Sequence, residues 1–205
     1  ASISAAAAAG AHVVVTYFSG ISDANYHVRL GGYPGAFREL LGVRVEEFFP
    51  LREQESVALS DGGTGSQWSE DARATDAQVV TTYANGPLAG RPAVTRRDVD
   101  AGVAWYLGTL PDDASLGSLL DTVLHESGVE SVVRTSPGVE VVRRRSDSGS
   151  WVFVLNHTDD DCQVTASGHD LVSSTDVGPT LHLSPRTAAV VRAGCARPPA
   201  RAVPP

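Results

Sequence analysis

Apolar residues in the first two-thirds of the chain occur in short runs whose spacing alternates between that of strands and that of helices. Residues 12–18 (HVVVTYF) are almost continuously β-branched or aromatic, which is typical of a strand buried on both faces. Residues 36–41 have helical spacing, and residues 43–50 (VRVEEFFP) predict a short strand that ends at a proline. The alanine-rich opening predicts a helix that ends at Gly10.

The next segment, residues 51–76, is polar and rich in glycine, so we expect only short strands there, at residues 57–59 and 67–68. Longer strands are predicted at residues 77–85, 91–97 and 101–109. The turn sequence NGPLAG joins the first two of these into a hairpin.

A well-marked helix closes this region. Pro111 is expected to start it, Asp112 and Asp113 suit its positive N-terminus, and Gly128 is expected to end it. Its predicted core-facing stripe consists of Leu116, Leu119, Leu120, Val123 and Leu124.

After a predicted linker at residues 136–140 the apolar period changes to two, and five or six short strands follow without a helix between them. This pattern predicts a small antiparallel β-sandwich. The predicted core consists of Val141, Val152, Val154, Leu183 and Val190, with the opposite face, Trp151, Phe153 and Leu155, as the alternative.

These patterns predict an α/β unit at residues 1–134, an antiparallel β domain at residues 135–193, and a disordered tail rich in proline and arginine at residues 194–205. A parallel sheet needs several crossovers to bury its faces, and only one full crossover is visible at the beginning of the chain. The chain also contains no methionine. We therefore expect it to be a segment of a longer protein whose earlier strands are missing.

Charge and composition narrow the possible partners. The net charge of −8 disfavours a nucleic-acid partner, because phosphate contacts need a basic face. No apolar run is long enough to cross a bilayer and no signal-peptide pattern is visible, so we expect no membrane partner. Cys162 and Cys195 lack a metal-binding or redox spacing, and we expect free thiols in a cytoplasmic protein.

The motifs of common enzymes and cofactor sites are missing from the sequence. It contains no G-x-S-x-G elbow, phosphate-binding glycine loop or zinc motif, so we expect no cofactor, no metal and no catalytic residue. Glu46 and Glu47 are neighbours on a strand, where they point to opposite faces and cannot form a glycosidase pair. Residues 159–161 (DDD) are more typical of a solvated turn than of a calcium site. Trp151 and Phe153 could form a carbohydrate-binding platform, although core packing is favoured.

The long connection at residues 16–37 concentrates the chemistry of the first unit. Its length is unusual for a loop of a compact domain. It could be a catalytic loop, a contact with another chain, or an Ω-like loop that packs on itself. Asp23 and His27 lie four residues apart without a nucleophile or second acid nearby in sequence, which argues against catalysis. The aromatic residues and glycines favour an intersubunit contact, with the candidates Tyr17, Phe18, Asp23, Tyr26, His27, Gly31, Gly32 and Tyr33.

The same stretches carry a resemblance to a known family. Residues 13–51 (VVVTYFSGISDANYHVRLGGYPGAFRELLGVRVEEFFPL), 81–97 and 102–113 resemble the middle domain of the β-galactosidases of glycoside hydrolase family 42. Residues 137–172 resemble the small C-terminal β domain of that family. The resemblance covers nearly the whole chain, residues 12–192.

The resemblance implies that catalysis and subunit association belong to different domains. In that family an N-terminal (β/α)8 barrel carries both catalytic glutamates, and the middle domain has an amidotransferase-like, flavodoxin-like three-layer fold that mediates trimer formation. The barrel has no counterpart in this sequence. The resemblance therefore implies a non-catalytic portion of a retaining enzyme that hydrolyses terminal β-D-galactosides as a homotrimer. There are two alternatives: a stand-alone carbohydrate-binding or scaffold module, and an independent amidotransferase-like hydrolase.

Overall fold

A computed structural model describes residues 2–133 and 135–192 of the chain. They form two compact units that divide between Val129 and Glu130. The tail that we predicted to be disordered, residues 194–205, lies outside the described residues. The predicted domain boundary between residues 134 and 135 stays a prediction.

The first unit is built mainly from strands. Its helices are α1 (Ser2–Ala8), α2 (Arg38–Leu41) and α3 (Asp113–Glu126), and a 3-10 turn spans Gly86–Leu88. Its strands are β1 (His12–Thr16), β2 (Val43–Pro50), β3 (Ser56–Ala58), β4 (Thr64–Ser66), β5 (Trp68–Ala74), β6 (Gln78–Thr82), β7 (Pro92–Val99), β8 (Gly102–Leu107) and β9 (Leu110–Pro111).

The central sheet of this unit has the strand order β1-β8-β7-β6. Strand β8 is buried along its whole length, and its alternating side chains supply two separate cores. Ala104 and Tyr106 pack with residues of α1, α2, β2 and β5, whereas Trp105 and Leu107 pack with α3. The predicted hairpin of β6 and β7 is confirmed, with a register shift near Thr81.

The predicted fold class is only partly supported. Strands predominate in the described residues, and among their strand pairs β1 with β8 is the parallel one. The amidotransferase-like, flavodoxin-like three-layer architecture is not confirmed by this arrangement and stays a prediction.

Three strands of the first unit were not predicted from the sequence: β4, β9 and, beyond its first residue, β5, which is the longest of them. Strand β5 lies inside the segment expected to be polar and irregular, and it pairs antiparallel with β2 along most of its length. The reason is that its centre buries polar side chains, Ser69 and Glu70, whose pattern does not look like that of a core strand. Tertiary contacts, not local apolar spacing, place this strand.

The start and the inner face of α3 differ from the prediction. Asp112 is the N-cap, and its carboxylate accepts a hydrogen bond from the Ser115 amide at 3.0 Å, while Pro111 belongs to β9. The helix ends at Glu126, and the positive φ of Gly128 agrees with the predicted stop. Leu116, Leu119 and Val123 pack on the sheet, but the predicted stripe was too wide, because Leu120 and Leu124 are exposed.

The second unit consists of antiparallel strands, as predicted, but its described residues contain seven strands where five or six were expected. They are β10 (Val139–Ser146), β11 (Gly149–Asn156), β12 (Cys162–Thr165), β13 (Gly168–Asp170), β14 (Thr175–Val177), β15 (Thr180–Leu183) and β16 (Ala188–Arg192). A five-stranded sheet of order β10-β11-β16-β13-β14 and the pair β12-β15 share one core.

The inward face of this core is the one we favoured, with one error of register. Val154 and Leu183 are buried and Val141 and Val152 pack against them, as predicted. On β16, however, Val191 is the buried residue, and Val190 pairs across the sheet with Phe153 on the other face. The predicted Val190 was therefore wrong by one residue, which on a strand inverts the face.

Candidate functional site

The loop between β1 and α2 contains a short hairpin at residues 21–29. Ser22 and Val28 form an isolated bridge, and the Arg29 amide donates to the carbonyl of Ile21 at 2.9 Å. The Asp23 carboxylate accepts hydrogen bonds from the amides of His27 and Asn25, at 3.0 and 2.8 Å, and these bonds lower the pKa of Asp23. Asp23 therefore shapes the turn.

Five aromatic side chains from three parts of the first unit form a cluster beside this hairpin. We call it the aromatic cluster: Tyr17, Phe18, Tyr33, Phe48 and Trp68. Tyr17 stacks on Trp68 with ring centroids 5.8 Å apart, and Phe18 meets Trp68 edge-on at 4.9 Å. The ring centroids of Tyr33 and Phe48 are 4.5 Å apart. The cluster joins the two ends of the loop to strands β2 and β5.

Phe18 is the point at which the cluster faces solvent. Its side chain is 56% exposed, and its backbone has a positive φ of 56°, which few bulky residues adopt. This conformation directs the Phe18 amide toward Glu70 Oε1 at a distance of 3.4 Å. The strained turn therefore places an aromatic ring at the surface and its own amide on a buried carboxylate.

Glu70 lies beneath the aromatic cluster and is fully buried. Its Oε1 accepts from the Trp68 indole N–H at 3.0 Å and from the Phe18 amide, and its Oε2 accepts a short hydrogen bond from the Tyr106 hydroxyl. The Glu70 amide donates to the Tyr83 hydroxyl at 3.2 Å, which in turn donates to the carbonyl of Gly108 at 2.9 Å. This network ties the loop and β5 to β8.

Burial determines the titration of this network. Removal from water raises the pKa of Glu70, and the donors Tyr106, Trp68 and Phe18 oppose that shift without cancelling it. Burial beside Glu70 also raises the pKa values of Tyr83 and Tyr106, so both hydroxyls stay protonated and can donate. Since both Glu70 oxygens are engaged inside the protein, the carboxylate is suited to holding the loop and not to attacking a ligand.

The structure brings together only some of the predicted candidates. Tyr17, Phe18 and Tyr33 meet in the aromatic cluster, whereas Tyr26 and His27 lie on the exposed hairpin. The sequence analysis missed Phe48, Trp68 and Glu70, which lie on β2 and β5. The unusual sequence WSE at residues 68–70 was the available signal, and it was not used because the segment was interpreted as irregular.

The glycines of the loop, by contrast, contact arginine side chains. Each of three glycines lies under one arginine, and a Cβ at the glycine would collide with that arginine or press against it. Such a Cβ would lie 2.9 Å from Arg38 at Gly31, 3.0 Å from Arg44 at Gly32 and 2.6 Å from Arg29 at Gly35.

The second unit contains two features that the sequence analysis singled out. Trp151 is half-buried on the outer face of the sheet, in register with Arg144 on β10 and Arg192 on β16. Asp159 forms a two-point ion pair with Arg186, at 2.8 and 3.1 Å, which lowers the pKa of Asp159. Within the described ranges, no group of three or more potential ligands is arranged to hold a metal ion.

The helices and the cysteines bear on the expected absence of a membrane partner and on the expected free thiols. None of the helices among the described residues is long and apolar enough to cross a membrane. Cys162 is buried, and this burial raises the pKa of its thiol, whereas Cys195 lies outside the described residues. The predicted cytoplasmic location stays a prediction.

Comparison with protein families agrees with the two units. Residues 1–130 match the family described as the β-galactosidase trimerisation domain, and residues 138–193 match the β-galactosidase C-terminal domain. The two matches thus describe a trimerisation domain followed by a small C-terminal domain of a glycosidase. The chain belongs to the β-galactosidases of glycoside hydrolase family 42 and corresponds to their C-terminal part.

Individual relatives show how much of such an enzyme the chain represents. A β-galactosidase of Arthrobacter sp is 55% identical over 174 residues, which are 84% of this chain and 25% of that protein. The β-galactosidase LacZ of Heyndrickxia coagulans is 37% identical over 188 residues, which are 89% of this chain and 28% of that protein. The chain thus spans about a quarter of the length of the curated relatives it matches.

Solved β-galactosidase structures also match nearly all of this chain with only part of their own length. The β-galactosidase from Bacillus circulans sp. alkalophilus superimposes with a TM-score of 0.85 at 27% identity, over 94% of this chain and 30% of that one. The cold-adapted β-galactosidase from Rahnella sp. R3 gives 0.78 at 26% identity, over 93% of this chain and 30% of that one.

Proposed function

We propose that this chain is the non-catalytic assembly part of a β-galactosidase that works as a homotrimer. In this proposal a barrel elsewhere in the enzyme binds and hydrolyses terminal β-D-galactosides with retention, and this chain holds the subunits together and supports the barrel. The observation that carries the proposal is the aromatic cluster, which Glu70 fixes at the surface of the domain matched to the trimerisation family.

The chemistry of this surface suits a contact between proteins. Aromatic side chains bury much area for little loss of conformational entropy, and they are enriched among the residues that dominate binding energy. The Glu70 network holds the ends of the loop in place before any partner arrives, which lowers the cost of binding.

The exposed hairpin extends the proposed contact surface. Tyr26 and Leu30 are each 89% exposed, although both are large and mainly apolar. Single exposed apolar residues are common, but here they lie in the same loop as the exposed Phe18. We infer that Tyr26, His27 and Leu30 lie against the neighbouring subunit together with the aromatic cluster.

Sedimentation equilibrium of the chain over a range of concentrations tests this proposal. We expect a species three times the 21.4 kDa mass of one chain. Tyr26→Ser with Leu30→Ser should shift the equilibrium toward the single chain, because both side chains are exposed and their loss leaves the fold intact. Val172→Ser, at an exposed apolar residue of the second unit, is the matched control and should not. A wild-type chain that remains single at all concentrations would contradict the proposal.

A second candidate function is carbohydrate binding by the second unit, which the position of Trp151 favours. The indole lies on the outer sheet face with an arginine beside it on each neighbouring strand, and such a combination can contact a sugar ring and its hydroxyls. Titration of the chain with lactose, followed by calorimetry and compared with Trp151→Leu, tests this candidate. Lactose binding that is lost in the variant would support it.

A further inference from the structure

A basic pocket lies in the first unit, next to the proposed contact surface. It has a volume of about 620 Å³ and is formed by the end of the loop, α2 and the start of β2, with α1 at its side. We call it the arginine pocket. Its charged lining residues are Arg29, Arg38, Arg44 and Glu39.

The positive charge of the arginine pocket is incompletely compensated. Among the described residues, no carboxylate lies within 4.0 Å of the guanidinium groups of Arg29 and Arg38. Arg44 is paired at its rim, with Nε at 3.2 Å from Glu46 Oε1. In a chain with a net charge of −8, such a concentration of arginine is a local reversal of sign.

The arginines are held in place by the backbone of the loop. Arg29 Nε donates to the carbonyl of Ser22 at 3.2 Å, and Arg38 donates to the carbonyls of Leu30, at 3.3 Å, and Gly31. The glycines beneath the arginines leave room for the stems of Arg29 and Arg44 and for the guanidinium group of Arg38. Guanidinium groups fixed in this way lose little conformational entropy when they bind a carboxylate in a two-point geometry.

Symmetry indicates what such a pocket meets. An interface in a closed ring of three copies joins two different patches, because a self-complementary patch generates a two-fold axis and not a three-fold one. A basic patch at such an interface is therefore matched by another patch of the neighbouring copy, and electrostatic complementarity requires that patch to be acidic.

We infer that the arginine pocket binds carboxylate side chains of the neighbouring copy of the protein. This inference rests on the proposed function, since it assigns a partner chemistry to the proposed trimer. The aromatic cluster supplies buried apolar area, and the arginine pocket fixes the orientation of the neighbour and makes association dependent on salt.

Sedimentation equilibrium at about 0.05 M and about 0.5 M sodium chloride tests the inference, because the higher salt shortens the screening length several-fold. We expect the trimer to dissociate at the higher salt. At the lower salt, Arg29→Gln should raise the dissociation constant about tenfold or more, and Arg29→Lys should raise it less because the charge remains. Arg52→Gln, at an exposed arginine away from the pocket, is the control and should have no effect.

The possible outcomes separate the two proposals. A wild-type trimer that neither salt nor Arg29→Gln weakens would overturn the inference and leave the proposed function standing. A chain that stays single in all conditions would overturn both. The remaining alternative is that the pocket binds a small anion, which inorganic phosphate at matched ionic strength tests. Phosphate would then raise the melting temperature of the single chain in an Arg29-dependent way, while Arg29→Gln would leave association unchanged. That result would overturn the inference.

Discussion

At the scale of single residues, Glu70 determines how the loop leaves the sheet. The residue is fully buried, yet it accepts hydrogen bonds from a backbone amide, an indole and a phenol. A buried carboxylate is unfavourable unless its oxygens are satisfied, and here three donors from different parts of the first unit satisfy them. Burial of Glu70 is unfavourable for its solvation, but its hydrogen bond to the Phe18 amide favours one conformation of Phe18.

Substitution of Glu70 tests this role. Glu70→Ala leaves three donors, the Phe18 amide, the Trp68 indole and the buried Tyr106 hydroxyl, without their acceptor, and we expect it to lower the free energy of unfolding by about 3 kcal/mol or more. Glu70→Gln keeps the volume and one acceptor oxygen, so we expect a smaller loss of about 1–2 kcal/mol. Urea unfolding followed by circular dichroism measures both. Equal and negligible losses would show that the network does not stabilise the fold.

The pH dependence of stability gives a second test of Glu70. Its pKa in the folded protein is raised above the ordinary value of 4.5, so the folded state binds this proton more tightly than the unfolded state does. The stability from this group is fully present below the unfolded pKa and is lost as the pH rises through the folded pKa. The stability of the wild type minus that of Glu70→Gln should therefore fall as the pH rises across this window. Taking the difference removes the contribution of the other carboxylates. A difference that rises with pH would show that the pKa is lowered instead.

At the scale of elements, Gly42 joins α2 to β2 and allows no side chain. It has a φ of +61°, and a Cβ there would lie 2.9 Å from backbone atoms of Asp76 and Ala77. Its carbonyl also accepts from the amides of Thr75 and Asp76, at 2.9 and 3.1 Å. The glycine therefore lets the end of α2 pack directly on the turn after β5.

A pair of glycine substitutions separates this contact from ordinary helix propensity. We expect Gly42→Ala to lower the free energy of unfolding by about 2 kcal/mol or more, from its positive φ and the backbone collision. Gly117→Ala in α3 has open space around it and should raise stability by about 0.5–1 kcal/mol. Thermal unfolding of the two variants in the same buffer measures the contrast. A Gly42→Ala protein as stable as the wild type would mean that the turn after β5 moves aside without cost.

The register of β16 can be tested in the same way. Val191 is completely buried between the two sheets, so Val191→Ala should cost about 2 kcal/mol. Val190 lies half-buried on the opposite face beside Phe153, and Val190→Ala should cost less than about 1 kcal/mol. Urea unfolding of both variants measures the difference. The reverse order of the two losses would restore the register predicted from the sequence.

At the scale of the whole molecule, the sequence predicted individual helices and strands better than the tertiary contacts between them. Period-two alternation was enough to predict the antiparallel second unit, and the apolar spacing was enough to predict β1, β8 and α3. The same patterns failed for β5, because a strand that buries Glu70 has no apolar signal. The candidate site was predicted in part for the same reason: Tyr17, Phe18 and Tyr33 are local in sequence, but their partners on β2 and β5 become neighbours only when the chain folds.

We expect the purified chain to hydrolyse no nitrophenyl β-D-galactoside above the buffer blank, because retention requires two carboxylates facing one sugar about 5 Å apart. Of the described carboxylates, Glu70 and Asp170 are the buried ones, and each lies in a different unit with its oxygens bound by its own chain. A colorimetric assay measures the rate, with Glu70→Gln as the matched control for contaminating host enzyme. Turnover that disappears in Glu70→Gln would show that this carboxylate reaches substrate. Turnover of equal size in both samples would come from a contaminating enzyme or from carboxylates other than Glu70, and turnover that stays with the chain through further purification would contradict the expectation.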